Sequence, residues 1–215
     1  VANCLDQNVT DKVEYLPNTT ATEYVYSPLE EVIIVYVMPI LLFVCFAGNF
    51  KFFVTVFRVK RMWNTTNMYL INLSIADSCF LSVCVGEKSW RYYKIGIPSY
   101  GNLLGTLGCV VMYMCLYTSY FTSILIVTLV SVERYFAICM PLKHMVVWSK
   151  RRTAFVVFVS WVVSALVAAT MMPGYSKLTI KCLIWPNEPK YDNLPITTGH
   201  CGPFGTGSLA YENFV

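Results

Sequence analysis

Hydrophobic positions in this chain gather into long unbroken runs rather than into alternating or one-faced patterns. Four runs, over residues 32–57, 68–86, 108–137 and 153–172, can cross about 30 Å of hydrocarbon, which takes about 20 helical residues. Each is predicted to be a helix, because lipid cannot satisfy the backbone groups of an open strand or loop. The first helix announces its start in Ser27-Pro28-Leu29-Glu30: a capping hydroxyl, a proline at the first helical position and a carboxylate to close the capping box. Pro39 is expected to kink that helix, and Asn64-Thr65-Thr66 to cap the second. The predicted architecture is all-α, a bundle of membrane helices in three parts. Segment 1–31 precedes the spans, 32–172 holds the helices and their connections, and 173–215 follows them. Within the last part a β-type run, 177–185, and a weaker one, 195–198, are separated by Pro186, Asn187 and Pro189. They read as a short β-hairpin, with Pro195 tolerable only as a first or edge residue.

Composition sharpens the picture. The chain has 215 residues, 56% hydrophobic and only 13% charged, with mean hydropathy +0.55. Soluble domains carry about a quarter charged residues, so the deficit fits a membrane and not a single aqueous core. A net charge of +4 gives no case for nucleic acid. The two histidines, His144 and His200, lie in different segments, which argues against a haem held between them. No HExxH, nucleophile elbow or paired-histidine array suggests an enzyme. The first apolar run is too long for a cleavable signal peptide. The chain opens on Val1 and stops at Val215 with no terminating feature, so it is expected to be a fragment.

Charge gives an orientation. Arg58, Lys60 and Arg61 follow the first span, and Lys143, Lys150, Arg151 and Arg152 follow the third. Before the first span stand Asp6, Asp11, Glu14, Glu23, Glu30 and Glu31 against Lys12. Basic connections stay in the cytoplasm, so the N-terminus is expected outside. Lys88, Arg91 and Lys94, read as an outer loop, weaken this without reversing it. The sequons at Asn8 and Asn18 then face the secretory lumen and fit N-glycosylation; the one at Asn64 falls inside.

Polar residues within spans are costly, so they usually face the bundle and act there. Asp77 is the clearest, with Asn49 and Ser123 as candidate neighbours; they form either a cluster that only fixes register or a functional pocket. Lys51 is expected to snorkel toward the cytoplasmic surface. Counting back from Arg134 at helical pitch, one stripe of the third span carries Ser131, Val127, Ser123 with Ile124, Tyr120, Tyr117 with Leu116, Tyr113 and Cys109. Its tyrosines are either packing or the wall of a water-accessible cavity, since unpaired hydroxyls are costly in apolar surroundings.

These residues carry a resemblance. Asn67-Met68-Tyr69-Leu70-Ile71-Asn72-Leu73-Ser74-Ile75-Ala76-Asp77 resembles the second helix of rhodopsin-like (class A) G-protein-coupled receptors. Gly48-Asn49 resembles their first-helix signature and Trp161 their fourth-helix tryptophan. The run from Ser131-Val132-Glu133-Arg134-Tyr135 to Pro141-Leu142 resembles the end of their third helix. Cys109 stands at the spacing before Arg134 that the family uses for its outer disulfide. The resemblance covers nearly the whole chain, as four of seven helices.

It implies that Glu133, Arg134 and Tyr135 form the switch for a heterotrimeric G protein. It implies further that Asn49, Asp77 and Ser123 line a water-filled pocket able to take Na+, the only cofactor suggested, and that Ile124 belongs to a packing relay. Where amine receptors carry an aspartate on the third helix, Leu116 stands here, so no counter-ion for an amine is present. The hairpin lid and the row Tyr113, Leu116, Tyr117 and Tyr120 imply instead an extracellular peptide ligand of the neuropeptide type. Cys109 is expected to pair with Cys201, with Cys182 the alternative; Cys45, Cys79, Cys84, Cys115 and Cys139 read as small apolar fillers. Lys51 departs from the family's apolar residue, and the second span lacks the proline common in its peptide receptors. The resemblance implies a plasma-membrane location. A competing reading is a four-span scaffold of tetraspanin or claudin type, but His200-Cys201-Gly202 lacks the tetraspanin cysteine doublet.

The orientation makes a prediction for the chain expressed in cells. Asn8→Gln and Asn18→Gln should each remove one N-glycosidase-sensitive step in gel mobility, while Asn64→Gln should remove none; a glycan at Asn64 would invert the topology.

Overall fold

The computed structural model of the chain describes residues 12–17, 21–97, 105–142 and 149–202. Among them are four helices long and apolar enough to cross a membrane. We label them α1 (Pro28–Arg58), α2 (Thr65–Lys94), α3 (Gly105–Cys139) and α4 (Lys150–Met171, tightening to a 3-10 turn over Met172–Gly174). Three strands complete the fold: β1 (Lys12–Tyr15), β2 (Lys177–Ile184) and β3 (Thr197–Gly202). The chain is a multi-pass membrane protein. Phe43, Phe50, Phe57, Phe155, Phe158 and Leu166 are exposed, as lipid-facing side chains must be.

Helix starts follow the local chemistry. The Glu30 amide donates to Ser27 Oγ (3.3 Å), and Glu30 Oε2 accepts from the Ser27 amide (2.8 Å), closing the expected capping box. The Asn67 amide donates to Asn64 Oδ1 (2.8 Å), the cap expected for α2. Ahead of Pro39 the α1 ladder widens to a π-helical turn over Ile33–Val37. A proline has no N–H for the preceding turn, and a local π adjustment is one way a membrane helix re-satisfies the groups so freed.

α2 corrects one expectation. Lys88, Arg91 and Lys94 are not in a loop; the helix runs on through Lys94. Arg91, 5% exposed, is ion-paired with Glu87 one turn earlier. Hydropathy registers the charges as a span end and cannot see that Arg91 is neutralised by Glu87 along one helix face.

The chain divides into two compact units. The first comprises Val1–Val35, Glu87–Tyr113 and Met171–Val215 and holds a sheet of order β1-β2-β3. β2 and β3 are antiparallel, with Leu178 opposite Cys201; β1 lies parallel to β2, with Val13 opposite Cys182. Leu16, Ala21, Ile97, Leu183 and Tyr191 form the core. Trp185 stacks on Tyr191 (5.4 Å between centroids) and donates its indole N–H to the Pro195 carbonyl (2.9 Å). The hairpin is present, but its second strand starts at Thr197 and runs through Gly202 rather than covering 195–198. Pro195 has no N–H to give to a ladder, so pairing begins beyond it. Cys109 is bonded to Cys201 (Cα–Cα 5.7 Å), not to Cys182, which ties β3 to the first turns of α3. Tyr26 meets Tyr92 edge-on at 5.3 Å; burial pushes its phenol pKa up, with Arg91 opposing.

The second unit comprises Tyr36–Gly86 and Met114–Thr170. Its core is Tyr69, Ile126 and Val157, flanked by Leu73, Leu129, Val130 and Trp161. α4 buries Thr153, Val157, Ser160, Ser164 and Ala168. That is one face at helical spacing whose small side chains let a neighbouring backbone approach closely. Lys51 is exposed on α1, and its carbonyl accepts from Thr55 Oγ1 (2.9 Å).

Candidate functional site

Polar side chains of the second unit converge on α2. From α1, Asn49 Nδ2 donates to Ser78 Oγ (3.0 Å) and to the Ser74 carbonyl (3.3 Å). From α3, Ser123 Oγ donates to Asp77 Oδ1 at 2.6 Å, short as expected of a hydroxyl bonded to a carboxylate. From α4, Trp161 Nε1 donates to Asn72 Oδ1 (3.3 Å), whose amide is oriented by its own bond to the Met68 carbonyl (2.9 Å). Each of the other three helices therefore has a hydrogen bond to α2. Ser123 bonds the Asp77 carboxylate, whereas Asn49 bonds Ser74 and Ser78, which precede and follow Asp77 on α2, and not the carboxylate itself.

A second cluster forms where α3 nears its end. Glu133 is 2% exposed, and its Oε1 accepts from Thr65 Oγ1 (2.8 Å) and Thr66 Oγ1 (3.0 Å). The two threonines open α2, so the carboxylate lies at a helix N-terminus, the end that favours negative charge. Its neighbour Arg134 is exposed, and so is Tyr135, which meets Phe136 edge-on at 5.6 Å. One carboxylate is buried and hydrogen-bonded while the adjacent guanidinium stands clear of the protein interior.

The tyrosine stripe of α3 meets aromatic neighbours. Tyr113 stacks on Tyr175 at 4.5 Å, and Tyr117 on Phe121 at 6.3 Å. Tyr120 lies against Phe80 (6.2 Å) and Phe121 (5.4 Å). Leu116 is half-buried and Ile124 exposed. Asn8 and Asn18 lie outside the described residues.

Sequence reasoning missed Thr65, Thr66, Asn72 and Ser78 as partners. A signal existed for Thr65 and Thr66, two hydroxyls in the first turn of a membrane helix. Nothing in the chain order links them to Glu133. Chemically, the Asp77 neighbourhood offers one carboxylate with hydroxyl and amide groups, oxygen donors that suit a hard cation. Among the described residues no group of three or more His, Cys, Asp or Glu side chains could hold a metal ion.

The Trp161–Asn72 bond can be tested by its asymmetry. Asn72→Leu strands a half-buried indole N–H and should cost about 1 kcal/mol. Combining it with Trp161→Phe should recover part of that loss, read as thermal unfolding in detergent; strictly additive losses would show that the bond carries no coupling.

Comparison with known proteins agrees with this geometry. The family model described as "7 transmembrane receptor (rhodopsin family)" matches residues 48–196. Growth hormone secretagogue receptor type 1 of Sus scrofa is 36% identical over 118 residues, covering 55% of this chain and 31% of that receptor. The Homo sapiens receptor of the same name gives the same identity and coverage. Succinate receptor 1 of Rattus norvegicus is 31% identical over 132 residues, covering 61% of this chain and 39% of that receptor. The chain thus spans between 31% and 39% of the length of these relatives. With the matched region taking in all four helices in whole or part, the chain belongs to the rhodopsin family of seven-transmembrane receptors.

Proposed function

We propose that the protein is a receptor that binds an extracellular peptide and activates a heterotrimeric G protein at the plasma membrane. This chain contributes its first four helices, with the N-terminus outside. The observation that carries the reading is the end of α3. Burial of Glu133 on Thr65 and Thr66 fixes this part of the helix, while Arg134 remains exposed. A guanidinium held ready in this way can bond the carbonyls at the end of a partner helix, and Tyr135 flanks the same surface.

Two further features support the details. Asp77, with Ser123 bonded to it and Asn49 bonded to the adjacent Ser78, would hold Na+ through oxygen donors, and the charge of the ion would offset that of the carboxylate. The β2–β3 hairpin, fixed to α3 by Cys109–Cys201, would form part of the ligand entrance. Leu116 provides no carboxylate for an amine, which favours a peptide. The relatives are named for a growth hormone secretagogue and for succinate, so succinate belongs in the test. The family match leaves the four-span scaffold without support.

In cells expressing the complete receptor, a neuropeptide panel should raise calcium or another G-protein readout. Arg134→Ala should abolish that response while leaving peptide binding within about threefold. A response confined to monoamines or to succinate would refute the peptide reading, and full signalling by Arg134→Ala would refute the assigned switch.

A further inference from the structure

We propose that the face of α1 turned away from α2 binds an anionic phospholipid, with Lys51 and Arg58 closing on its phosphate. Lys51 is an exposed cation within an apolar span, two turns before the helix ends at Arg58. Its Cα lies about 10 Å deeper than that of Arg58 at the helical rise. An ammonium at that depth is costly unless water or a partner meets it. Among the described residues Lys51 has no ion pair. No Asp or Glu stands between Val32 and Ala76, a stretch that holds Lys51, Arg58, Lys60 and Arg61.

Asn49 fixes the direction of that face. It bonds Ser74 and Ser78, so its side of α1 is the one toward α2. Val56 returns to the same side and is fully buried. At about 100° per residue, Lys51, Thr55 and Arg58 lie about 200°, 240° and 180° round from Asn49, and all three are exposed. Val37, Ile40 and Val44 continue this stripe toward the other end of α1 and are exposed as well. The stripe is cationic near the helix end and apolar beyond it, the order in which a phospholipid presents its phosphate and its acyl chains.

Thr55 gives its hydroxyl proton to the Lys51 carbonyl (2.9 Å), so the two cations must supply the donors for an anion. Cα–Cβ bonds tilt toward a helix N-terminus, which inclines the Arg58 side chain toward Lys51, while the Lys51 stem bends back to approach the interface. A phosphate between them takes the guanidinium fork from one side and the ammonium from the other. A zwitterionic lipid brings a cation of its own to a site that already holds two, so a lipid of net negative charge is favoured. Under the orientation proposed above, the Arg58 end lies in the cytoplasmic leaflet, where anionic lipids are concentrated. Only the choice of leaflet rests on that reading; the binding depends neither on the extracellular ligand nor on G-protein coupling.

The test is native mass spectrometry of the complete receptor released from nanodiscs of three parts phosphatidylcholine to one part phosphatidylserine. Phosphatidylserine should be retained in preference to phosphatidylcholine. Lys51→Leu, which makes the span apolar at this position, should lower the retained phosphatidylserine about fivefold, the factor for one basic residue at an anionic surface. Arg58→Gln should lower it to a similar extent, Lys51→Arg should keep it, and Arg151→Gln, in the other basic connection, should leave it unchanged. Equal retention of the two lipids, or undiminished retention of phosphatidylserine by Lys51→Leu, would overturn the proposal. An equal loss in Arg151→Gln would show only diffuse attraction to the basic end of the bundle, and would overturn it too.

Discussion

Hydrocarbon supplies no hydrogen-bond partner, so a polar side chain carried into a span must find one on its own helix or on a neighbour. That constraint organises the second unit. Thr128, Ser131 and Ser160 return their hydroxyls to a carbonyl one turn back on their own helices. Asn49, Ser123 and Trp161 instead each bond across to α2. Apolar packing alone would let the helices rotate against one another at little cost, because lipid tails are as apolar as leucine. The polar contacts remove that freedom, and α2 becomes the element against which the other three are registered.

Glu133 belongs to the same scheme. A carboxylate 2% exposed needs strong partners, and Thr65 and Thr66 supply two hydroxyls at a helix terminus whose dipole favours the charge. Arg134 beside it is exposed, so one pair of consecutive residues gives this helix end a fixed anchor and an accessible cation. In the first unit, Arg91 and Glu87 solve the corresponding problem within a single helix, and this lets α2 continue past its apolar stretch.

Features that depend on neighbours along the chain were legible in the sequence. The four spans, the Ser27–Glu30 capping box and the Asn64 cap follow from composition and local chemistry, and all are present. The Cys109–Cys201 bond was reached through family resemblance, not through geometry. What could not be read depends on residues distant in sequence. β1 is four residues long and pairs with a strand far along the chain. The bonds from Glu133 to Thr65 and from Trp161 to Asn72 join positions with no local pattern to relate them. The individual polar residues of the candidate site stood out, and their partners did not.

The role of α2 as the registering helix is tested most directly by a double-mutant cycle on Asp77 and Ser123 in the complete receptor, with thermal unfolding as the readout. Asp77→Ala, Ser123→Ala and the double variant should show a coupling of about 1.5–3 kcal/mol, the range for a hydrogen bond to a charged group. Losses that add to within about 0.5 kcal/mol would mean that the two side chains do not hold α2 and α3 together, and would contradict the account.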